Sequence, residues 1–510
     1  MEKGNLQRLI KIEDRIKQIL FDDMKLKSVD VEFDVIPPQR MLEIMAYRLP
    51  TNISNWKYGR DYEKNKTLYD LYGDSLPYEV VIHDNPARAY LMDSNTLAVQ
   101  ALVIAHVYGH TNFFTESKWF INNRNDIMSV MREGSKRFNE YERMYGIGEV
   151  EKIVDAAHSI QFHSSPFDNE TEEEKRLRVF DQMKEKRKIT NLSSFGDLTD
   201  THKSVDAFVD DASIDLMNNR LWRELKQQIP VEPTEDLLRF IIDNSRILED
   251  WQKDILEILR IEGQYYWPIM RSRYMNEGWA TFIHQKIMNK LFDEELLTAE
   301  EHGQYNYSNS LVKAMSRYSM NPYLIGSGMW EHIEERWDKG RHGKEYMECS
   351  DYKLKEEWDT KEMGGFEKCK DVMRTYTDWF FMQDFLTEDV IDKLDMYIYT
   401  EVPSADYANT VDYVRTDHAA AQIRELIVNS FSNSGIPKIN IIDGNHHFDG
   451  SLYLSHDFSG IELDKLNTVK TLEHIYTLWG RPVVLSTTIG DKRYEVKIDT
   501  NPTIRPPKKS

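Results

Sequence analysis

The chain runs to 510 residues, long enough for two or three domains, and its 40% hydrophobic and 12% aromatic content excludes a mostly disordered protein. Its 65 Lys+Arg against 86 Asp+Glu leave a net charge of −21, which repels phosphate backbones and excludes nucleic acid as the expected main partner. Cys349 and Cys369 alone supply neither a disulfide framework nor a Cys-type zinc site.

Helical periodicity dominates the first three quarters. Leu6, Leu9, Ile12, Ile16, Ile19 and Leu20 mark one face of an opening helix. Charges interrupt that stretch throughout, so it does not read as a secretory leader. Pro37-Pro38 ends the next segment and Met41–Tyr47 begins another. The stretch Asn95–Phe114 is apolar nearly all round, the pattern of a buried helix. Its most apolar run, Leu97–Ala105, is far short of the roughly 20 residues that span a bilayer. A soluble, cytoplasmic protein without an integral membrane segment is expected.

Residues 149–162 form a further helix with Val150, Ile153, Val154, Ala157 and Ile160 as its stripe. A charged tract, Glu170–Lys188, follows as a solvated insertion or linker. Helix returns over Thr234–Glu262, with Gly263 as the expected stop, and again over 276–291 from Asn276. A polar tract from Lys339 to Lys370 holds both cysteines. Beyond about residue 390 the period changes. Asp395–Thr400, Lys438–Ile442, Ser451–His456 and Val483–Thr488 read as strands, with helices at 417–432 and 464–479 between them. The expected fold is therefore mainly α: a large all-helical body over 1–388, with polar insertions near 165–200 and 340–370, then a small α+β domain over 389–510.

The sharpest chemical feature is His106-Val107-Tyr108-Gly109-His110. Histidines at i and i+4 project from one side of a helix, so one ion can accept both imidazoles. In an apolar helix two unpartnered imidazoles are costly, and a hydrogen-bonded core pair is the alternative. The second feature is Asn276-Glu277-Gly278-Trp279-Ala280, followed by His284. It resembles the third-ligand helix of the gluzincin metallopeptidases, whose aminopeptidase branch reads Asn-Glu-Gly-Phe-Ala. The resemblance implies a zincin-like site with His106, His110 and Glu277 as ligands. Those peptidases carry a Glu directly after the first His as general base; this chain has Val107 there, which cannot move a proton.

Another group must then supply the base. Glu262, closing its helix beside Tyr265-Tyr266-Trp267, is the first choice. Asp155-Ala156-Ala157-His158 places a carboxylate and an imidazole at i, i+3, with His158 to orient ligands or stabilise charge. His284 lies seven residues beyond Glu277, about 10.5 Å along the axis by helical rise. It suits an outer group, a proton carrier or a ligand to another ion, against the plain reading of a hydrogen-bonded core histidine. His446-His447 and His456 fall at a turn and on a strand, where solvation is the simpler explanation.

The blocks AHVYGHTNFF, VEKIVDAAHSIQFH, LEDWQKDILEILRIEGQYYWP, MNEGWATFIH, NPYLIG and LWGRPVVL occur in this order and resemble the signature blocks of the stage V sporulation protein R (SpoVR) family over about residues 30–490. Membership implies a part in spore cortex formation or cell-envelope biogenesis, and in relatives from non-sporulating bacteria an association with a serine-kinase stress system. The leading expectation is a metal-dependent amide hydrolase. A divalent ion, zinc by its donor set, would sit on His106, His110 and Glu277, with Glu262, His158 and His284 as catalytic or supporting groups. The alternative is a non-catalytic regulatory or scaffold protein that binds a serine-kinase system or an envelope-biogenesis protein. Its His/Glu cluster would then be a structural metal site or a polar core network. A redox di-metal protein is the third reading.

Overall fold

The structure is a computed structural model. It describes residues 3–49, 52–53, 55–72, 79–164, 167, 170–193, 211–315, 320–403, 411–416, 418–431, 435–490, 492–499 and 503–505. The fold is mainly α, with a small α+β part at the C-terminal end. Two compact units divide the chain: Met1–Glu140 with Tyr265–Gly435, and Tyr141–Gln264 with Ile436–Ser510.

The first unit is built around the helix Leu97–Glu116, whose residues from Ala98 to Phe114 are all buried. Thr96 caps it, its hydroxyl accepting from the Val99 amide. This helix packs on Arg273–Asp293, which in turn packs on Pro322–Asp338. The opening helix, Lys3–Gln18, lays its expected stripe of Leu9, Ile12 and Ile16 into the same core. The core also takes Val390, Ile391 and Ile423 from beyond residue 388. The compact unit therefore continues to Gly435, past the boundary that the change of period indicated.

Glycine sets how closely the central helices approach. A Cβ on Gly109 would stand 2.6 Å from the Cα of Ala280, and one on Gly278 2.4 Å from the Cα of Gly326. The helix Arg273–Asp293 starts earlier than Asn276 because a distant side chain caps it. Asp378 accepts from the amides of Tyr274 and Met275, both at 2.9 Å. Burial pushes this carboxyl up to about 7, against the opposing pull of the amides.

The first unit is not wholly helical. A three-stranded sheet, in the order Val31–Ile36, Ala87–Met92, Glu79–Ile82, flanks the central helix. The first pair is parallel and the second antiparallel, which leaves Glu79–Ile82 at an edge. These strands are short, and Ala87–Met92 is buried along nearly its whole length, so no alternation betrays it.

In the second unit the expected helix Thr234–Glu262 is two helices, Leu237–Asn244 and Asp250–Arg271. Gly263 does not stop the latter. It lets the helix approach Gln161, whose carbonyl oxygen would lie 2.4 Å from a Cβ at that position. The strands Ile439–His446, Ser451–His456, Val483–Ile489, Lys492–Ile498 and Thr503–Arg505 form one sheet in sequential order. Its single parallel pair, Ser451–His456 with Val483–Ile489, is joined through the helix Lys465–Trp479. Of the polar tract 165–200, the described part includes the helix Glu172–Ser193, and residues 194–200 lie outside the described residues. The tract 340–370 holds two short helices, Gly343–Glu348 and Tyr352–Glu356, and the start of Gly365–Thr375, which buries Cys369.

Candidate metal centre

One helical turn separates His106 from His110, and their rings meet edge to face with centroids 4.6 Å apart. Both side chains are almost fully buried. Glu277 comes from the neighbouring helix. Its Oε2 stands 3.8 Å from His106 Nε2 and 3.4 Å from His110 Nε2. A second carboxylate arrives from the sheet edge: Glu79 Oε1 lies 3.6 Å from His106 Nε2. One donor atom each from Glu79, His106 and His110 falls within 4.8 Å of the others. The three residues expected to converge do so, and Glu79 joins them.

The Asn-Glu-Gly-Trp-Ala stretch divides its labour residue by residue. Asn276 Oδ1 accepts from His110 Nδ1 at 2.9 Å. Glu277 faces the two histidines. Gly278 admits Gly326, and Ala280 faces Gly109. Trp279 is fully buried and its indole N–H donates to Asn112 Oδ1 at 2.8 Å, which ties the helices bearing His106 and Glu277 together. His284 lies further along, buried, with its Nδ1 2.9 Å from His106 Nδ1. Tyr323, at the start of Pro322–Asp338, sets its ring 6.0 Å from that of His106, and its hydroxyl bonds to Glu277.

The electrostatics describe an acceptor-rich pocket. Burial raises the Glu79 carboxyl above its ordinary range. Burial acts to raise Glu277 too, but the adjacent imidazoles prevail and hold it well below the carboxylate range. Burial acts to lower His110, and the Glu277 charge outweighs it and draws the imidazole up. His106 Nε2 and Glu277 Oε2 are buried with no hydrogen-bond partner. Orphaned acceptors are what a cation-binding donor set presents when only protein atoms are considered. Two imidazoles and two carboxylates fit a divalent ion.

The other expected groups take different places. Glu262 belongs to the second unit, where its buried carboxylate accepts from the Gln161 side-chain amide at 2.6 Å. His158 and Asp155 are half-buried on the helix Ile147–Ile160 of that unit. His456 Nδ1 pairs with Thr487 Oγ1 at 2.9 Å, and the His446 ring stacks on Tyr453.

The family model described as SpoVR like protein matches residues 3–436, and that of the SpoVR-like C-terminal domain matches 437–489. The chain belongs to the SpoVR family. The junction of the two matches falls beside Gly435, where the first compact unit ends. The chain is also similar to the uncharacterized protein YcgB of Escherichia coli (strain K12), 26% identical over 488 residues, covering 90% of this chain and 88% of that protein. No solved structure matches. The SpoVR match encloses every residue of the cluster, including Glu79. Sequence reasoning missed that residue because it heads a four-residue strand and belongs to no spaced motif. The one available signal is a lone carboxylate immediately ahead of the apolar run Val80-Val81-Ile82. Among the described residues no helix is long and apolar enough to cross a membrane.

Proposed function

We propose that this chain binds one divalent cation through His106, His110 and Glu277, with Glu79 beside them, and uses it to hydrolyse an amide bond in cell-envelope material such as spore cortex. One observation carries the reading: His106 Nε2 and Glu277 Oε2, from two neighbouring helices, are buried without a hydrogen-bond partner beside the donor atoms of His110 and Glu79. Two carboxylates and two neutral imidazoles balance a double positive charge, and zinc suits that donor set. Bound there, the cation would polarise a carbonyl oxygen and activate water for attack.

The chain's own residues then have separate tasks. His106 and His110 hold through their Nε2 atoms. Glu79 accepts the proton of the attacking water at its carboxylate, the task that Val107 cannot perform; burial raises its affinity for a proton, the direction a general base needs. Tyr323, a phenol kept neutral by burial, donates its hydroxyl to Glu277 and orients that carboxylate toward the histidines. The reading needs neither Glu262 nor His158. Elemental analysis of tag-free protein should find one divalent cation per chain, lost in His106→Ala and in Glu277→Ala. Metal-free wild-type protein that also refuses added zinc would sink the proposal.

A second reading is favoured by Val107, fully buried and apolar where a peptidase base stands. The cation is then structural, and the chain is a regulatory or scaffold partner of a serine-kinase system or an envelope-biogenesis protein. Glu79→Gln separates the two. It abolishes function in the hydrolase reading and is silent in the scaffold reading, where chelation unfolds the protein instead.

A further inference from the structure

A chain of hydrogen bonds leads away from the cluster through His284. Its Nδ1 meets His106 Nδ1 at 2.9 Å, and its Nε2 meets Asn309 Oδ1 at 3.1 Å. Asn309 lies on the helix Ala299–Val312 and is itself oriented from behind. With the Gln285 amide in the orientation that satisfies its neighbours, Gln285 Oε1 accepts from Asn309 Nδ2 at 3.2 Å and from Lys313 Nζ at 3.1 Å, while Gln285 Nε2 donates to Glu331 Oε1 at 3.0 Å.

The far end fixes the direction of the whole chain. An ammonium can only donate and an ionised carboxylate can only accept. Lys313 therefore holds the Gln285 oxygen toward itself, and Glu331 holds the nitrogen. Asn309 must present Nδ2 to that oxygen, and so it presents Oδ1 to His284. An amide oxygen accepts, so His284 carries its proton on Nε2 and offers Nδ1 as an acceptor. His106 must then donate from Nδ1. A neutral imidazole has one N–H, so its Nε2 is left as a bare lone pair. That atom is the one facing Glu79 and Glu277.

We infer that His284, with Asn309, Gln285 and the Lys313–Glu331 pair behind it, is a positioning residue that fixes the tautomer of His106 and presents its Nε2 to the cation. It touches neither the ion nor a substrate. This rests on the cation site proposed above. Histidine ligands are commonly held by a carboxylate or a carbonyl; in this chain the work falls to neutral groups, so the cluster gains no further negative charge.

Chelator competition with Zn2+ and the visible absorption of Co2+ bound to the full chain test the role. His284→Leu removes the acceptor and should weaken Zn2+ binding about 10–100-fold, the usual effect of losing an outer partner, with a changed Co2+ spectrum. His284→Asn places an amide oxygen where Nδ1 stood and should restore both. Asn309→Leu, at a half-buried position, should shift both in the same direction as His284→Leu and serves if that variant does not fold. Wild-type affinity and spectrum in a folded Leu variant overturn the inference, as does an Asn variant as defective as Leu. Wild-type protein that binds neither ion overturns the cation site first, and this role with it.

Discussion

His83 shows how a buried side chain can govern behaviour away from the chemistry. It follows the edge strand, its ring lies against Phe114 and Phe120, and its Nδ1 has no partner. Burial lowers its pKa from 6.5 to about 4. The unfolded chain therefore binds the proton first, and stability is lost as pH falls from 6.5 toward 4. The full difference is worth about 3 kcal/mol. Replacing His83 with Leu should flatten the decline of unfolding free energy over that interval in urea titrations. An unchanged slope would assign the acid sensitivity elsewhere. At this scale the sequence was legible where spacing encodes geometry. His106 and His110 share a helix face by count alone, and Glu277 was readable from its neighbours in the motif. Glu79 was not, because proximity across a sheet edge leaves no periodic trace. Asn276 was read as the start of a helix, whereas its side chain holds His110 and the cap comes from Asp378, about a hundred residues away.

Between elements, glycine decides the distances. The helix that carries Glu277 is wedged between two others, and its contact on one side is backbone against backbone at Gly278 and Gly326. Gly278→Ala has no flexible side chain to displace. It should cost more than the usual 1–3 kcal/mol of overpacking and swing Glu277 away from the histidines. Calorimetry and zinc uptake should fall together; a stable, metal-binding variant would show that the helices can separate without harm. Buried helices announced themselves through length and continuous hydrophobicity. The three-stranded sheet did not, since its strands run only four to six residues and the middle one, Ala87–Met92, is buried along nearly its whole length, too little to tell from a fragment of helix. Gly263 was misread for a related reason: the sequence shows a residue without a side chain, but not whether that absence ends a helix or admits a neighbour.

At the scale of the whole molecule, the units are not consecutive pieces of chain. The first unit needs residues 265–435, so a chain ending at 388 lacks Val390, Ile391 and Ile423 from its core. Such a chain should unfold without cooperativity and fail to take up metal, while one ending at 435 should keep both properties in a thermal melt and a zinc titration. Equal behaviour of the two would place the true boundary earlier. The change from helical to strand periodicity near residue 390 marks a change of local structure, and local structure is all that periodicity reports. Burial in a common core depends on contacts between distant stretches, which no window of sequence contains.

The separation of the cluster's residues along the chain has a consequence during synthesis. His110 leaves the ribosome 167 residues before Glu277, and the whole of 141–264 is made in between. At about 5–20 residues per second that interval lasts on the order of ten seconds or more. Throughout it, the buried helix Leu97–Glu116 has only the opening helix and the short sheet to cover it, and its main partner, Arg273–Asp293, does not yet exist. The nascent protein is thus most exposed to aggregation, and to premature capture of metal by two bare imidazoles, in the time before its second half arrives.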